Sequence, residues 1–292
     1  MKSIVFNQGI IVSEQPETPI GSKSVEILPE KVLVDGIENS IFLGLLWVKP
    51  GTILGSIGIG KIRDVGVDLP QSMIGKRSLV FPLSEAIGGI GTEVNGLLCE
   101  RAVVPVDSVI TFSENIDDRY LILPHLSVAL DIMEKIGDGS TLIIGSGLTA
   151  VLIHIFGRDM DINIMYDDGS FRLSNNNKVV NIDKQWDNIV ISTMRGWARH
   201  LAQRLVKPSG HIFIPKFVNS WPSFIPQRSF LVRPRYRSEL LEYLNSKEVE
   251  HVIKTYLGYS EDALSSIPTT KPGIIVDVKK VWDKINISAI IE

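Results

Sequence analysis

The stretch Thr141–Val151 reads TLIIGSGLTAV. An apolar run ends in Gly145-Ser146-Gly147, and Leu148-Thr149-Ala150 then opens a segment with helical spacing. A helix that starts where a strand ends presents its first, unpaired N–H groups at the strand's carboxyl end, and such a terminus attracts anions. Ile162–Tyr166 reads as a second strand, and Asp167 closes it 20 residues after Gly147. This order of strand, glycine turn, helix, strand and acid suits a dinucleotide. The pyrophosphate is expected over Gly145, Ser146, Gly147, Leu148, Thr149 and Ala150, and the adenosine ribose on Asp167. Ala150 stands where a third glycine is usual and still permits close helix–strand packing. Asp167 with Asp168 beside it repels a 2′-phosphate, which favours NAD(H) over NADP(H); Arg172 nearby weighs the other way. The competing reading is a parallel sheet whose glycine turn packs tightly and binds nothing.

The rest of the chain bounds the function. Its 292 residues are 44% hydrophobic and 22% charged, enough apolar content for about two domains with cores of their own. A net charge of −3 and a pI near 6.0 leave no basic field to gather nucleic acid or anionic membrane. Cys99 is the single cysteine, so neither a disulfide framework nor a multi-cysteine zinc site is expected. The opening MKSIVFNQGIIV lacks the pattern of a signal peptide. Leu142–Phe156 is too short and too interrupted to span a bilayer. The expectation is a soluble, cytoplasmic protein.

Residues 1–120 read as all-β. Ser3–Phe6, Lys31–Asp35, Ile41–Val48, Ser78–Phe81 and Arg101–Pro105 are short apolar runs between turn-forming clusters. Leu83–Gly96, with four glycines, reads as a mobile loop. Asp118–Ile136 carries helical spacing. Strands and helices then alternate: Thr141–Ile144, helix Leu148–Phe156, Ile162–Tyr166, Val179–Ile182, Asn188–Ser192, helix Arg195–Leu205 and His211–Pro215. That alternation predicts βαβ units and a parallel sheet. A strand at Phe230–Arg233, a helix at Ser238–Leu244 and a strand at Pro272–Val278 follow.

Read end to end, the chain resembles the medium-chain dehydrogenase/reductase family, of the zinc alcohol dehydrogenase type. MKSIVF is similar to the family's opening strand, and KVLVDGI to the strand before its first zinc cysteine. PGTILGSIGIGKIRDVG, GKRSLVF and NGLLCERAVVP follow in family order. WDNIVIS, LVKPSGHIFI and KPGIIVDVK match later Rossmann and closing strands. The resemblance implies an α/β fold: a GroES-like, β-rich catalytic domain (residues 1–120, completed by 234–292) and a Rossmann domain with a doubly wound parallel sheet (121–233).

The family's zinc ligands do not carry over. Glu38 stands at the first cysteine, Ser56 at the histidine with Ile57 at its neighbouring glutamate, and Pro124 or His125 at the third position. No metal site is expected, and the five histidines show no ligand spacing. The resemblance also implies that the turn Gly36–Ile41 meets the nicotinamide end of the cofactor. Ser40 and Glu38 are then the catalytic candidates; Ser40 either bonds a substrate oxygen or caps local backbone. Cys99 reads as core. Arg228, Arg233, Arg235 and Arg237 read as a solvated strip more readily than an anion site, and Trp221 and Phe224 as anchors of their loop. The expected function is zinc-independent hydride transfer between NAD(P)(H) and a small carbonyl, enone or alcohol. The alternative is a catalytically silent nucleotide-binding or interaction protein. Expected partners are a small-molecule substrate and at most a second copy of the chain, with no nucleic acid and no membrane.

Overall fold

A computed structural model describes residues 1–113, 115–167 and 180–291. The chain forms two compact units. The first comprises Met1–Ile122, Gly258–Thr269 and the stretch from Gly273 on; the second comprises Leu123–Leu257 and Thr270–Pro272. The second unit thus runs past the expected boundary at 233. Residues 240–256 form helices there, and one of them packs on the helix that follows the glycine turn.

In chain order the first unit contains β1 (Lys2–Phe6), β2 (Ile10–Glu14), β3 (Ser24–Val34), α1 (Gly36–Phe42), β4 (Thr52–Ile53) and β5 (Ile57–Val65). There follow β6 (Arg77–Val80), β7 (Leu83–Ser84), β8 (Gly88–Gly89), β9 (Ala102–Pro105) and β10 (Val109–Phe112). The second unit holds α2 (Leu123–Ile136), β11 (Thr141–Gly145), α3 (Leu148–Phe156), β12 (Ile162–Met165), β13 (Trp186–Ser192) and α4 (Gly196–Leu205). It continues with β14 (Val206–Pro215), β15 (Ser229–Val232), α5 (Leu240–Tyr243) and α6 (Lys247–Tyr256). The chain then returns to the first unit through β16 (Leu257–Ser260), β17 (Gly273–Asp277) and α7 (Val278–Ile291).

The first unit is built on a sheet ordered β10-β6-β5-β3-β17-β16, with β9 also on β3. Strand β3 is its spine. It pairs antiparallel with β5 from Val25 to Leu33 and with β17 from Lys31 to Val34. Its inward residues Val25, Ile27, Val32, Leu33 and Val34 are wholly buried. A smaller sheet, β2-β1-β4, stands beside it.

Two expectations for this unit are corrected. Residues 41–48 do not form a strand, because helix α1 already occupies Gly36–Phe42. Its cause is a capping box: Asp35 accepts from the N–H of Ile37 at 2.7 Å, and Glu38 accepts from the N–H of Asp35 at 3.0 Å. Leu83–Gly96 is not a loose loop either. It contains the β7–β8 pair, Ile90 is fully buried, and Gly91 and Gly96 lie flat against the backbone of Gly55, where no Cβ would fit.

The second unit is a parallel sheet ordered β12-β11-β13-β14-β15 with helices between its strands. Strand β11 is buried throughout, β13 almost throughout and β14 over Ile212–Pro215, the pattern expected of a sheet covered on both faces. Val180–Ile182 is not strand; Val179, Asp168 and Arg172 lie outside the described residues. Among the described residues no helix is long and apolar enough to cross a membrane.

Candidate functional site

In the second unit the chain leaves β11 through α3 toward β12, and leaves β13 through α4 toward β14, in the opposite direction. The carboxyl ends of β11 and β13 therefore flank a topological switch point, where open α/β sheets bind ligands. Gly145 ends β11 at φ +105°, and a Cβ on it would fall 2.3 Å from the Ser192 carbonyl oxygen. The turn thus lies directly on the end of β13. Gly147 is the N-cap of α3, and among the described residues no side chain caps that terminus. The helix end keeps its positive pole and its free N–H groups.

Side chains along the turn do not reach outward. Ser146, Leu148, Thr149 and Ala150 are all buried. The Thr149 hydroxyl lies 2.9 Å from Nδ1 of His125, whose ring rests on Phe217 at 4.6 Å between centroids. Whatever Gly145–Ala150 offers a ligand is backbone.

Asp167 lies two residues beyond β12 with its side chain 14% exposed. Its Oδ2 accepts from the Thr193 hydroxyl at 2.6 Å and lies 3.7 Å from Nε of Arg195. Among the described residues Oδ1 keeps its acceptor capacity. The sequence reading gives Thr193 and Arg195 no role in the site. Their signal was position: they follow β13 directly, at the switch point.

This arrangement fits a dinucleotide. The open α3 terminus would hold a pyrophosphate, and the partly exposed Asp167, steadied by Thr193 and Arg195, would accept from ribose hydroxyls.

In the first unit Glu38 has no exposed surface. Its Oε2 accepts from the Asp35 N–H at 3.0 Å, and its Oε1 accepts from the Ser56 N–H at 3.1 Å and the Ser56 hydroxyl at 3.2 Å. Burial, reinforced by the charge of Asp35, pushes its pKa up to about 8 against the pull of the backbone N–H groups. Two positions that carry zinc ligands in the resembled family are here joined by hydrogen bonds. This donor set does not fit zinc: the carboxyl is filled with protein donors, and a serine hydroxyl is not among zinc's usual ligands. His125 is turned to Thr149 within its own unit. Among the described residues no group of three or more His, Cys, Asp or Glu could hold a metal ion.

Ser40 is buried and donates its hydroxyl to the Gly36 carbonyl at 2.6 Å, one turn back in α1. Cys99 donates to the Arg101 carbonyl, and burial pushes its thiol up to about 12, so little thiolate forms near neutral pH. The arginine cluster does not converge on one point. Arg237 pairs with Asp131 of α2, whereas Arg228 donates to the Pro208 carbonyl.

No protein-family model matches the chain, and no curated protein matches it by sequence. Solved structures do resemble it. A short chain alcohol dehydrogenase from E. coli CFT073, complexed with NADH, superposes with a TM-score of 0.67 at 17% identity, over 95% of this chain and 99% of that one. Galactitol-1-phosphate dehydrogenase from Escherichia coli gives 0.68 at 14% identity, over 95% and 100%. The 2R,3R-butanediol dehydrogenase from Bacillus subtilis gives 0.62 at 14%, over 94% and 99%. The fold is that of the alcohol dehydrogenases.

Proposed function

We propose that the protein transfers hydride between NAD(H) and a small carbonyl, enone or alcohol substrate, without zinc. One observation carries the reading: an uncapped α3 terminus at the switch point, with the Asp167 carboxylate beyond the neighbouring strand. Asp167 also supports NAD(H) over NADP(H), since its charge opposes a 2′-phosphate. The bound dinucleotide would supply the hydride chemistry. The chain's own part is to fix the pyrophosphate with α3 N–H groups and the ribose with Asp167.

Ser40 is the proposed donor to the substrate oxygen, with Glu38 as acid. The Ser40 hydroxyl must leave the Gly36 carbonyl to act. A hydrogen bond of that kind contributes about 1 kcal/mol net, whereas a donor to a developing oxyanion contributes about 3 kcal/mol, so the exchange is favourable in the transition state. Zinc's Lewis-acid contribution is not supplied, so an enone or another activated carbonyl suits the site better than a simple alcohol. The reading takes the working setting to be the cytoplasm, with a small molecule as partner and a second copy of the chain as the one macromolecular partner.

A second reading keeps the nucleotide and drops the chemistry. Glu38 has no exposed surface and Ser40 is bonded to its own helix, which suits a silent nucleotide-binding protein.

NADH titration followed by fluorescence tests the shared part: binding is expected, and Asp167→Ala should weaken it about tenfold or more. No binding, or an unchanged affinity in the variant, overturns it. A turnover screen with NADH and NADPH against quinones, enones and aldehydes separates the two readings. Activity should survive EDTA and fall about tenfold or more in Ser40→Ala. Binding without turnover selects the silent protein.

A further inference from the structure

Arg199, in the opening turns of α4, is 8% exposed. Among the described residues its Nε and Nη1 are buried without a hydrogen-bond partner, and burial weakens its hold on the proton. A guanidinium left buried and unpaired is strongly unfavourable, so a fold that keeps one invites a counter-charge from outside. The group folds back over its own helix start: a Cβ on Gly196 would lie 3.8 Å from Nη2. Among the described residues no side chain caps α4, which therefore presents its positive pole at the same place. The guanidinium stands 5.5 Å from the ring centre of Trp221, whose Nε1 is likewise buried without a partner. Lys216, just past β14 and 7% exposed, fixes that loop by donating to the carbonyls of Asn219 at 2.9 Å and Trp221 at 3.3 Å.

This cluster is distinct from the α3 terminus, although Arg195, the N-cap of α4, lies 3.7 Å from Asp167 and so borders the ribose end of the dinucleotide site. The crossovers β11–α3–β12 and β13–α4–β14 run in opposite directions across the sheet. A right-handed sense for both, the near-universal one for such crossovers, puts α3 and α4 on opposite faces.

We propose that Arg199, the opening turn of α4 and the Trp221 loop bind a small oxyanion, a carboxylate or phosphate group borne by a ligand other than the dinucleotide. A guanidinium beside a helix N-terminus suits either group through charge-assisted hydrogen bonds. The site stands whether or not NADH binds at α3.

Titration of the intact protein with sodium phosphate and, separately, sodium acetate, at constant ionic strength in chloride, tests it. Tryptophan fluorescence and thermal melting are the readouts. At least one anion should saturate and raise the melting temperature by about 3 °C or more. Phosphate alone would assign a phosphate ligand, and acetate alone a carboxylate. Arg199→Met should lose the saturable response while keeping NADH affinity within about twofold; Arg199→Gln serves if the methionine variant does not fold. Three results overturn the site: saturation by neither anion, an undiminished response in the variant, or loss of NADH binding with Arg199. The last would give the guanidinium to the dinucleotide. Failure of the unaltered protein to bind NADH bears on the proposed function alone.

Discussion

Glu38 carries three hydrogen bonds, an acidic neighbour and no contact with water. Its folded pKa near 8 against an ordinary 4.5 makes the native state the stronger proton binder between those values. Stability therefore falls as pH rises through that window and levels off beyond it, by a few kcal/mol in all. Denaturation midpoints taken from pH 4 to 9 should show this decline, and Glu38→Gln should flatten it. An equal slope in the variant would mean that Glu38 ionises normally in the fold. Sequence reading located Glu38 and Ser56 as substitutes for metal ligands. It gave no sign that they bond to each other, because they lie 18 residues apart and meet only once β3 and β5 have paired. Arg199 was silent in the sequence for a related reason: an arginine in an amphipathic helix reads as solvated until its burial is seen.

Among elements, the β11–α3 junction was the most legible. An apolar strand, a glycine turn and a helix announce themselves locally, and α3 spans the expected Leu148–Phe156. The two glycines of this junction serve different ends. Gly145→Ala forces a Cβ into the Ser192 backbone at φ +105° and should destabilise the fold by about 2 to 4 kcal/mol. At Gly147, with φ −65°, an added Cβ meets the Ser192 hydroxyl at 3.2 Å and the Ser192 carbonyl oxygen at an ordinary 3.7 Å. Gly147→Ala should fold within about 1 kcal/mol of the native protein, yet weaken NADH binding if backbone must touch pyrophosphate. Urea unfolding and NADH titration of the two variants check this; similar stability losses in both would refute the division. Helix α1 was misread because the apolar run at Ile41–Val48 has strand-like composition, while its capping signal was split, Asp35 being read as the end of a strand and Glu38 as chemistry. Helices α6 and α7 were missed, both in a stretch the sequence analysis treated as tail.

At the scale of the molecule, the alternation of strands and helices gave the parallel sheet, and the colinear resemblance gave the β-rich partner. The domain edge was harder to read, since α5 and α6 carry no marker of the unit they pack in. The first unit is discontinuous in sequence: β17 lies between β3 and β16 in its main sheet. A chain ending at Pro272 should therefore lose the protection of β3 amides against hydrogen exchange, while amides of β11 and β13 remain protected. Protection of β3 in that shortened chain would refute the interdependence.

The position of β17 also sets an order of events during synthesis. The ribosome makes β3 near the start, then the second unit's sheet, and only afterwards the four residues Ile274–Asp277 that pair with Lys31–Val34. Meanwhile Val32, Leu33 and Val34 present an unpaired apolar edge, the kind of surface on which nascent chains aggregate or recruit chaperones. The second unit has no such wait for its sheet, and its fold can be complete while the first is still open.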